Sequence, residues 1–193
     1  MKKITLGILS LLFGMSVYAG NTSQEIKLPE NYQKEYFDPI KKTAYFINQD
    51  IVNGRPSIIF SFVSDTAKNN IWLTNCQHTL QKGIQVFTCF TQQEQFGVGT
   101  GADGNVVIFR FEKRQELATT KINYKVDNKT IVTLPASAIP NGPAANAFIQ
   151  KLKQSRVLTY SWKNGSKYQS EQIKLDGLEE SLDFAKKMVE LNN

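Results

Sequence analysis

Thr43-Ala44-Tyr45-Phe46-Ile47 and Ser57-Ile58-Ile59-Phe60-Ser61-Phe62-Val63, with Asn53-Gly54-Arg55-Pro56 between them, decide the fold class. Both runs are rich in β-branched and aromatic residues, which suit a pleated, half-buried surface, and Asn-Gly accepts the positive backbone angles of a tight turn. The pair reads as a β-hairpin. The rhythm continues outward through Ile71-Trp72-Leu73-Thr74 and, after Lys82-Gly83, Ile84-Gln85-Val86-Phe87-Thr88-Cys89-Phe90. Val106 to Phe111, Lys121 to Val126 and Thr130 to Leu134 add three more strands, the last two joined across Asp127-Asn128-Lys129. Short strands spaced near ten residues predict an antiparallel sandwich or barrel.

The period then changes. Asn141-Gly142-Pro143 opens a segment with Ala144, Phe148, Ile149 and Leu152 at helical spacing, with proline in the first turn. Val157 to Trp162 and Tyr168 to Ile173 form a last hairpin around Lys163-Asn164-Gly165-Ser166. A second helix follows, with Asp176 as N-cap, Glu179 as its capping-box partner, and Leu178, Leu182, Ala185 and Val189 on one face. The expected fold is mainly β of the α+β class: a small antiparallel β-sandwich or barrel with two helices near the C-terminus. Trp72, Trp162, Tyr45, Tyr124, Tyr160 and Tyr168 are expected mostly to fill its core. Tyr160 with Trp162, and Tyr45 with Ile47, share a strand face by the two-residue period.

Lys2 and Lys3, the apolar run Ile4 to Val17 and the small residues of Val17-Tyr18-Ala19 match a secretory signal peptide over residues 1–19. The apolar run is too short and too broken for a membrane span, so the expected product begins near Gly20 and is periplasmic or secreted, with no span after cleavage near Ala19. Residues 20–42, with Pro29 and Pro39, read as an extended arm, and residues 43–193 as one β-rich domain. Removing Lys2 and Lys3 from 23 basic residues leaves 21 against 17 acidic, a mild +4 whose lysines occur in short, separated groups. That pattern does not suit nucleic acid. In an oxidising compartment the even cysteine count predicts a Cys76–Cys89 disulfide. The competing readings are two buried thiols, or Cys89 as a nucleophile with His78 as its base.

Gly97-Val98-Gly99-Thr100-Gly101-Ala102-Asp103-Gly104 resembles a phosphate loop only superficially, because a strand follows it where such a loop needs a helix N-terminus. It reads as a flexible glycine-rich loop. The sole histidine, His78, cannot assemble a zinc site and is expected in a solvated loop. Carboxylate pairs such as Glu94 with Asp103, or Glu112 with Glu116, are the material for a glycosidase, but nothing singles one out. No Gly-x-Ser-x-Gly elbow is present. The expectation is therefore no catalytic residue, no metal and no cofactor. A binding surface is placed at Gly97, Gly99, Gly101, Asp103 and Gly104 together with the turn residues Asn164 and Gly165, since exposed loops carry recognition more often than packed strands.

Arg110-Phe111-Glu112 and Lys125-Val126-Asp127 resemble an Arg-x-Asp strand signature, Ala145 to Leu152 an Ala-x-x-Phe-x-x-x-Leu helix, and Ile173 to Leu182 a closing Leu-x-Gly-Leu-x-x-Ala-Leu element. Over Val106 to Val189 the chain resembles the type VI secretion accessory family called TagO or VasI, and more distantly the invasion-associated locus B family. It lacks the first family's intact Arg-x-Asp and terminal Cys, and the second's closely spaced Cys pair. The resemblance implies a non-enzymatic envelope protein that binds another envelope or secreted protein, in a secretion- or invasion-associated setting. The alternatives are an inhibitor or immunity protein against an envelope hydrolase, and a cell-wall hydrolase using an unrecognised carboxylate pair.

Overall fold

The computed structural model describes residues 25–64, 70–109, 121–127, 129–135, 142–164 and 166–193. The expected signal peptide lies outside them. Seven strands form one antiparallel meander, sheet A: β1 Glu35–Asp38, β2 Thr43–Val52, β3 Arg55–Ser64, β4 Ile71–Gln81, β5 Ile84–Gln93, β6 Phe96–Gly101 and β7 Gly104–Phe109, paired in chain order. Sheet B holds β8 Lys121–Val126, β9 Lys129–Pro135, β10 Val157–Asn164 and β11 Lys167–Lys174 in the order β11-β10-β8-β9. Helix α1 is Gly142–Lys153 and α2 is Leu178–Asn192. The antiparallel β class with two late helices is as the periodicity predicts.

Turn chemistry sets the registers of sheet A. Asn53 and Gly54 both take positive φ, 54° and 75°, and close β2 onto β3 at Val52↔Arg55; Lys82 and Gly83 do the same for β4 and β5 at Gln81↔Ile84. These are the mirror-image turns whose twist matches paired strands. With register fixed, every second residue faces inward: Ile58, Phe60 and Phe62 on β3, Trp72, Thr74 and Cys76 on β4, Phe87, Cys89 and Thr91 on β5, Phe96 and Val98 on β6, all buried. Cys76 and Cys89 pair directly across β4 and β5 and form the predicted disulfide on this inner face.

Helix α2 lies across β3 to β6 on that face and buries Leu178, Leu182, Phe184, Ala185, Met188 and Val189. Phe184 stacks on Phe60 at 4.4 Å between ring centroids. The helix does not start from the expected Asp176 cap. Gly177 is the N-cap, at φ 90°, with no side-chain cap bond. The physical reason is crowding: a Cβ at Gly177 would run into the Phe62 ring and sit 3.2 Å from Trp72 Cδ1, so glycine lets the chain turn tightly against the sheet. Asn70 Nδ2 donates to the Asp176 carbonyl at 3.0 Å, which holds this corner to sheet A.

The far end of α2 is fastened by two carboxamides. Asn193 accepts from the Phe87 amide at 2.9 Å and donates to the Phe87 carbonyl at 3.0 Å. Phe87 needs this because β6, paired Thr100 to Cys89, turns away after Gly101 and leaves its backbone edge open. Asn192 makes the same two contacts with the Lys27 backbone, at 2.9 and 3.0 Å. The N-terminal segment expected as an extended arm is thus bound to the body. Ile26, Leu28 and Tyr32 pack on the core, and residues 35–38 form β1.

Helix α1 joins the layers. It contacts β7, its Phe148 meets Tyr124 of β8 edge-on at 5.6 Å, and its Lys153 pairs with Asp183 of α2 at 2.8 Å. Its buried face is Ala145, Ile149 and Leu152; Ala144, expected there, is exposed. Tyr160 and Trp162 are buried and stacked as the two-residue period requires, whereas Tyr168, on the edge strand β11, is 75% exposed.

Two stability outcomes follow from this packing. Reducing the disulfide, or replacing both cysteines by serine, should lower unfolding free energy by about 3 kcal/mol, read from urea midpoints with and without reductant. Gly177→Ala combines a left-handed backbone cost with the Phe62 collision and should cost about 2 kcal/mol or more in the same assay.

Candidate functional site

The glycine run is not a loop. Gly97, Gly99 and Gly101 lie in β6, Gly104 opens β7, and only Ala102 and Asp103 turn between them, with Gly101 paired to Gly104. The expectation of a flexible rim is corrected: the glycines alternate along one sheet face, and at Gly97 a side chain would collide with the Phe90 ring and approach the Thr91 carbonyl at 3.1 Å. Glycine here permits an aromatic ring to lie across the neighbouring strand. Thr100 donates to Asn105 at 2.9 Å and Asn105 to Asn146 at 2.8 Å, tying the hairpin to α1. Asn164 sits at the end of β10 opposite Lys167, while Gly165 lies outside the described residues. Among the described residues no hydrogen bond, ion pair or ring contact joins this turn to the β6–β7 turn.

His78 is likewise not in a solvated loop. It is on β4, directly paired with Phe87, whose ring it meets edge-on at 4.9 Å. Burial of the imidazole pushes its pKa below the ordinary value, because desolvation disfavours the charged form. Of the carboxylate pairs, Glu94 and Asp103 occupy turns at opposite ends of the six-residue β6. At about 3.4 Å per residue that is roughly 20 Å, beyond the about 5 to 9.5 Å of a glycosidase pair. Glu112 and Glu116 lie outside the described residues. Among the described residues no three His, Cys, Asp or Glu side chains gather as a metal site. Asp127 is a structural carboxylate: it accepts from the Arg156 and Val157 amides at 2.9 Å each, which lowers its pKa and ties the β8–β9 turn to the start of β10.

An open recess of about 340 Å³ lies between Asn31, Tyr32, Gln33, Tyr36 and Tyr45. Its rings are largely spent on one another: Tyr36 stacks on Tyr45 at 5.3 Å, and Tyr32 packs against Tyr45, Phe60 and Phe184.

The outward face of sheet A is different in kind. The registers align Phe37, Ala44, Val63 and Ile71 in one row across β1 to β4, every member apolar. The next row runs Phe46, Ser61, Leu73, and the third Asn48, Ile59, Asn75. Phe37 is 64%, Phe46 42% and Ile71 43% exposed. Within these three rows, from β2 to β4, there is no charged residue; Glu35 beside Phe46 on β1 and Asp50 in the adjoining row Asp50-Ser57-Gln77 border them on the face. Both helices lie on the opposite, inner side. A contiguous exposed apolar patch of this kind marks an interaction surface, and depletion of charge is the compositional mark of an interface core. Sequence reasoning missed it because each strand shows its own alternation but not which face the helices take.

No family model, no curated protein and no solved structure matches this chain. Among the described residues no helix is long and apolar enough to cross a membrane.

The His78 environment sets a pH dependence. Its folded pKa lies below the ordinary 6.5, so the unfolded chain takes up the proton first. This contribution to stability is fully present above about pH 6.5 and is lost as pH falls from there through the folded value. Denaturant midpoints measured from about pH 8 to about pH 5 should show a decline that His78→Gln lacks.

Proposed function

We propose that this chain is an exported envelope protein that acts by binding another protein, through the outward face of sheet A around Phe37, Phe46, Val63, Ile71 and Leu73. The apolar row Phe37-Ala44-Val63-Ile71, with the exposed Phe46 and the half-buried Leu73 in the row beside it, carries the reading. A chain that presents such a face to water gains by covering it, since each Å² of apolar surface removed contributes about 25 cal/mol. The Cys76–Cys89 disulfide supports placement in an oxidising compartment outside the cytoplasm. A place in a secretion- or invasion-associated assembly is the form of this role that the C-terminal motifs imply. The glycine-bearing hairpin is a secondary contact in this reading: its turn residue Asp103 is exposed at the end of the same sheet.

Immobilised wild-type protein should retain a specific envelope protein from extract, and the retained protein, once purified, should bind directly. Ile71→Lys and Phe37→Lys, each shown by thermal melting to be folded, should weaken that binding by about tenfold or more, as expected when a charge enters an apolar contact. Undiminished binding by both folded variants would reject the face as the site.

A further inference from the structure

On the opposite side of sheet A from the apolar rows, the tyrosine-lined recess has the make-up of a small-ligand site, and we infer that it binds an uncharged sugar ring of a glycan through Tyr32, Tyr36 and Tyr45 with Asn31 and Gln33. Those five residues line its volume of about 340 Å³. That is the small end of ligand pockets, which combine aromatic walls with a few polar groups that fix orientation. The recess opens on the side of the sheet that carries α2, because Tyr45 shares its strand face with the buried Ile47 and Tyr36 is its direct partner on β1. It is therefore separate from the outward face and stands independently of the protein-binding reading.

Its walls are fixed before a ligand arrives. Tyr36 stacks on Tyr45 at 5.3 Å, Tyr45 packs on Phe60 at 5.2 Å and Phe60 stacks on Phe184 at 4.4 Å, so the tyrosines prolong the stack that seats α2. Tyr36 is still 48% exposed, which leaves the ring surface turned away from Tyr45 open. Asn31 and Gln33 are positioned by their backbone: the Tyr32 amide donates to the Pro29 carbonyl at 3.0 Å, and the Ile47 amide donates to the Lys34 carbonyl at 2.6 Å. Such preordering lowers the entropy lost on binding. The polar ends, by contrast, are uncommitted. Among the described residues no hydrogen bond engages the side-chain amides of Asn31 and Gln33 or the hydroxyls of the three tyrosines.

The surrounding charges select a neutral ligand. None of the five lining residues is charged. Lys187 Nζ stands over the Tyr32 ring at 5.2 Å, so a cation seated on that ring would meet a like charge. An anion would find no lysine or arginine in the lining, and Asp183 and Glu180 lie close enough to act on the Tyr32 hydroxyl. Burial first, and then these carboxylates, raise the pKa of that hydroxyl, which keeps its proton and donates. The matching molecule is uncharged, with an apolar face for the rings and a rim of groups that both donate and accept. Each carboxamide offers a donor beside an acceptor, and each phenol does both. Neighbouring hydroxyls of a pyranose answer that pairing, while its C–H face lies flat on a tyrosine. A proline-rich segment also docks on aromatic walls, but its prolines have no N–H to offer the amide oxygens.

Calorimetric titration of the purified, disulfide-intact chain tests this with uncharged tetrasaccharides of α-linked glucose, β-linked glucose, mannose, galactose and N-acetylglucosamine, each to about 10 mM, and with decaproline as the peptide control. At least one sugar should bind with a Kd between about 10 μM and about 1 mM. For that sugar Tyr36→Ala should weaken binding about tenfold or more, Tyr36→Phe should lose less because it keeps the ring, and Asn31→Ala should cost about fivefold. Both positions are exposed, and thermal melting checks that each variant is folded; Gln33→Ala, with the same fivefold loss expected, stands in for one that is not. Ile71→Lys should leave sugar binding as it is, so the two sites fail or survive separately. Binding of no sugar, binding of decaproline alone, sugar binding that the folded recess variants leave unchanged, or sugar binding lost in Ile71→Lys would each overturn the inference.

Discussion

Phe184 of α2 stacks on Phe60 at the centre of sheet A, and the rest of the molecule is arranged to keep that helix seated. Gly177 brings the chain onto the sheet beside Phe62 and Trp72 without a side chain in the way. One turn of helix after another then buries Leu178, Leu182, Ala185, Met188 and Val189 against β3 to β6. At the opposite end, Asn192 and Asn193 fasten two unrelated pieces of backbone, Lys27 and Phe87, with paired carboxamide bonds. Each such bond is worth about 1 kcal/mol, and leaving the groups it satisfies unpaired costs more. The N-terminal segment, the middle of the sheet and the C-terminal helix are therefore one mechanical unit.

The disulfide belongs to the same unit. Cys76 and Cys89 face inward beneath α2, both essentially inaccessible to water. A bridge between residues already opposite in the ladder adds no new topology; it restricts the unfolded chain and holds β4 and β5 in register. Register matters more than usual here, because a slip of one residue would carry Trp72, Phe87 and the cysteines to the outward face and its serines and amides into the core.

Sheet A carries large apolar residues on both sides. An antiparallel sheet commonly alternates apolar residues inward with polar ones outward, and β3 departs from this by placing Ile59 and Val63 outward beside Ser57 and Ser61. The continuous Ile58-Ile59-Phe60 run is the sequence trace of that two-sidedness. The inward half is covered by α2 and by Tyr32 of the N-terminal segment. The outward half keeps its large side chains toward solvent, and that asymmetry, rather than any cleft, is what the functional reading rests on.

The β2–β3, β4–β5, β8–β9 and β10–β11 turns and the two helices were legible from residue order alone, because turn chemistry and two- and 3.6-residue periods are local properties, and the disulfide from an even cysteine count. Strand β6 was not: glycine disfavours strands, and only the Phe90 ring lying across Gly97 makes glycine the residue that fits. Strand β1, four residues between Lys34 and Pro39, carries too short a pattern to separate from an extended arm. His78 looked solvated because its inward direction depends on the register with Phe87. The sequence by itself determined which residues would alternate and where the chain would turn. Tertiary structure alone decided which face of sheet A receives α2, and so which row, Phe37-Ala44-Val63-Ile71, is assembled from four strands and left turned outward. Burial is a property of what packs opposite, and the partner that covers the inner face lies more than a hundred residues further along the chain.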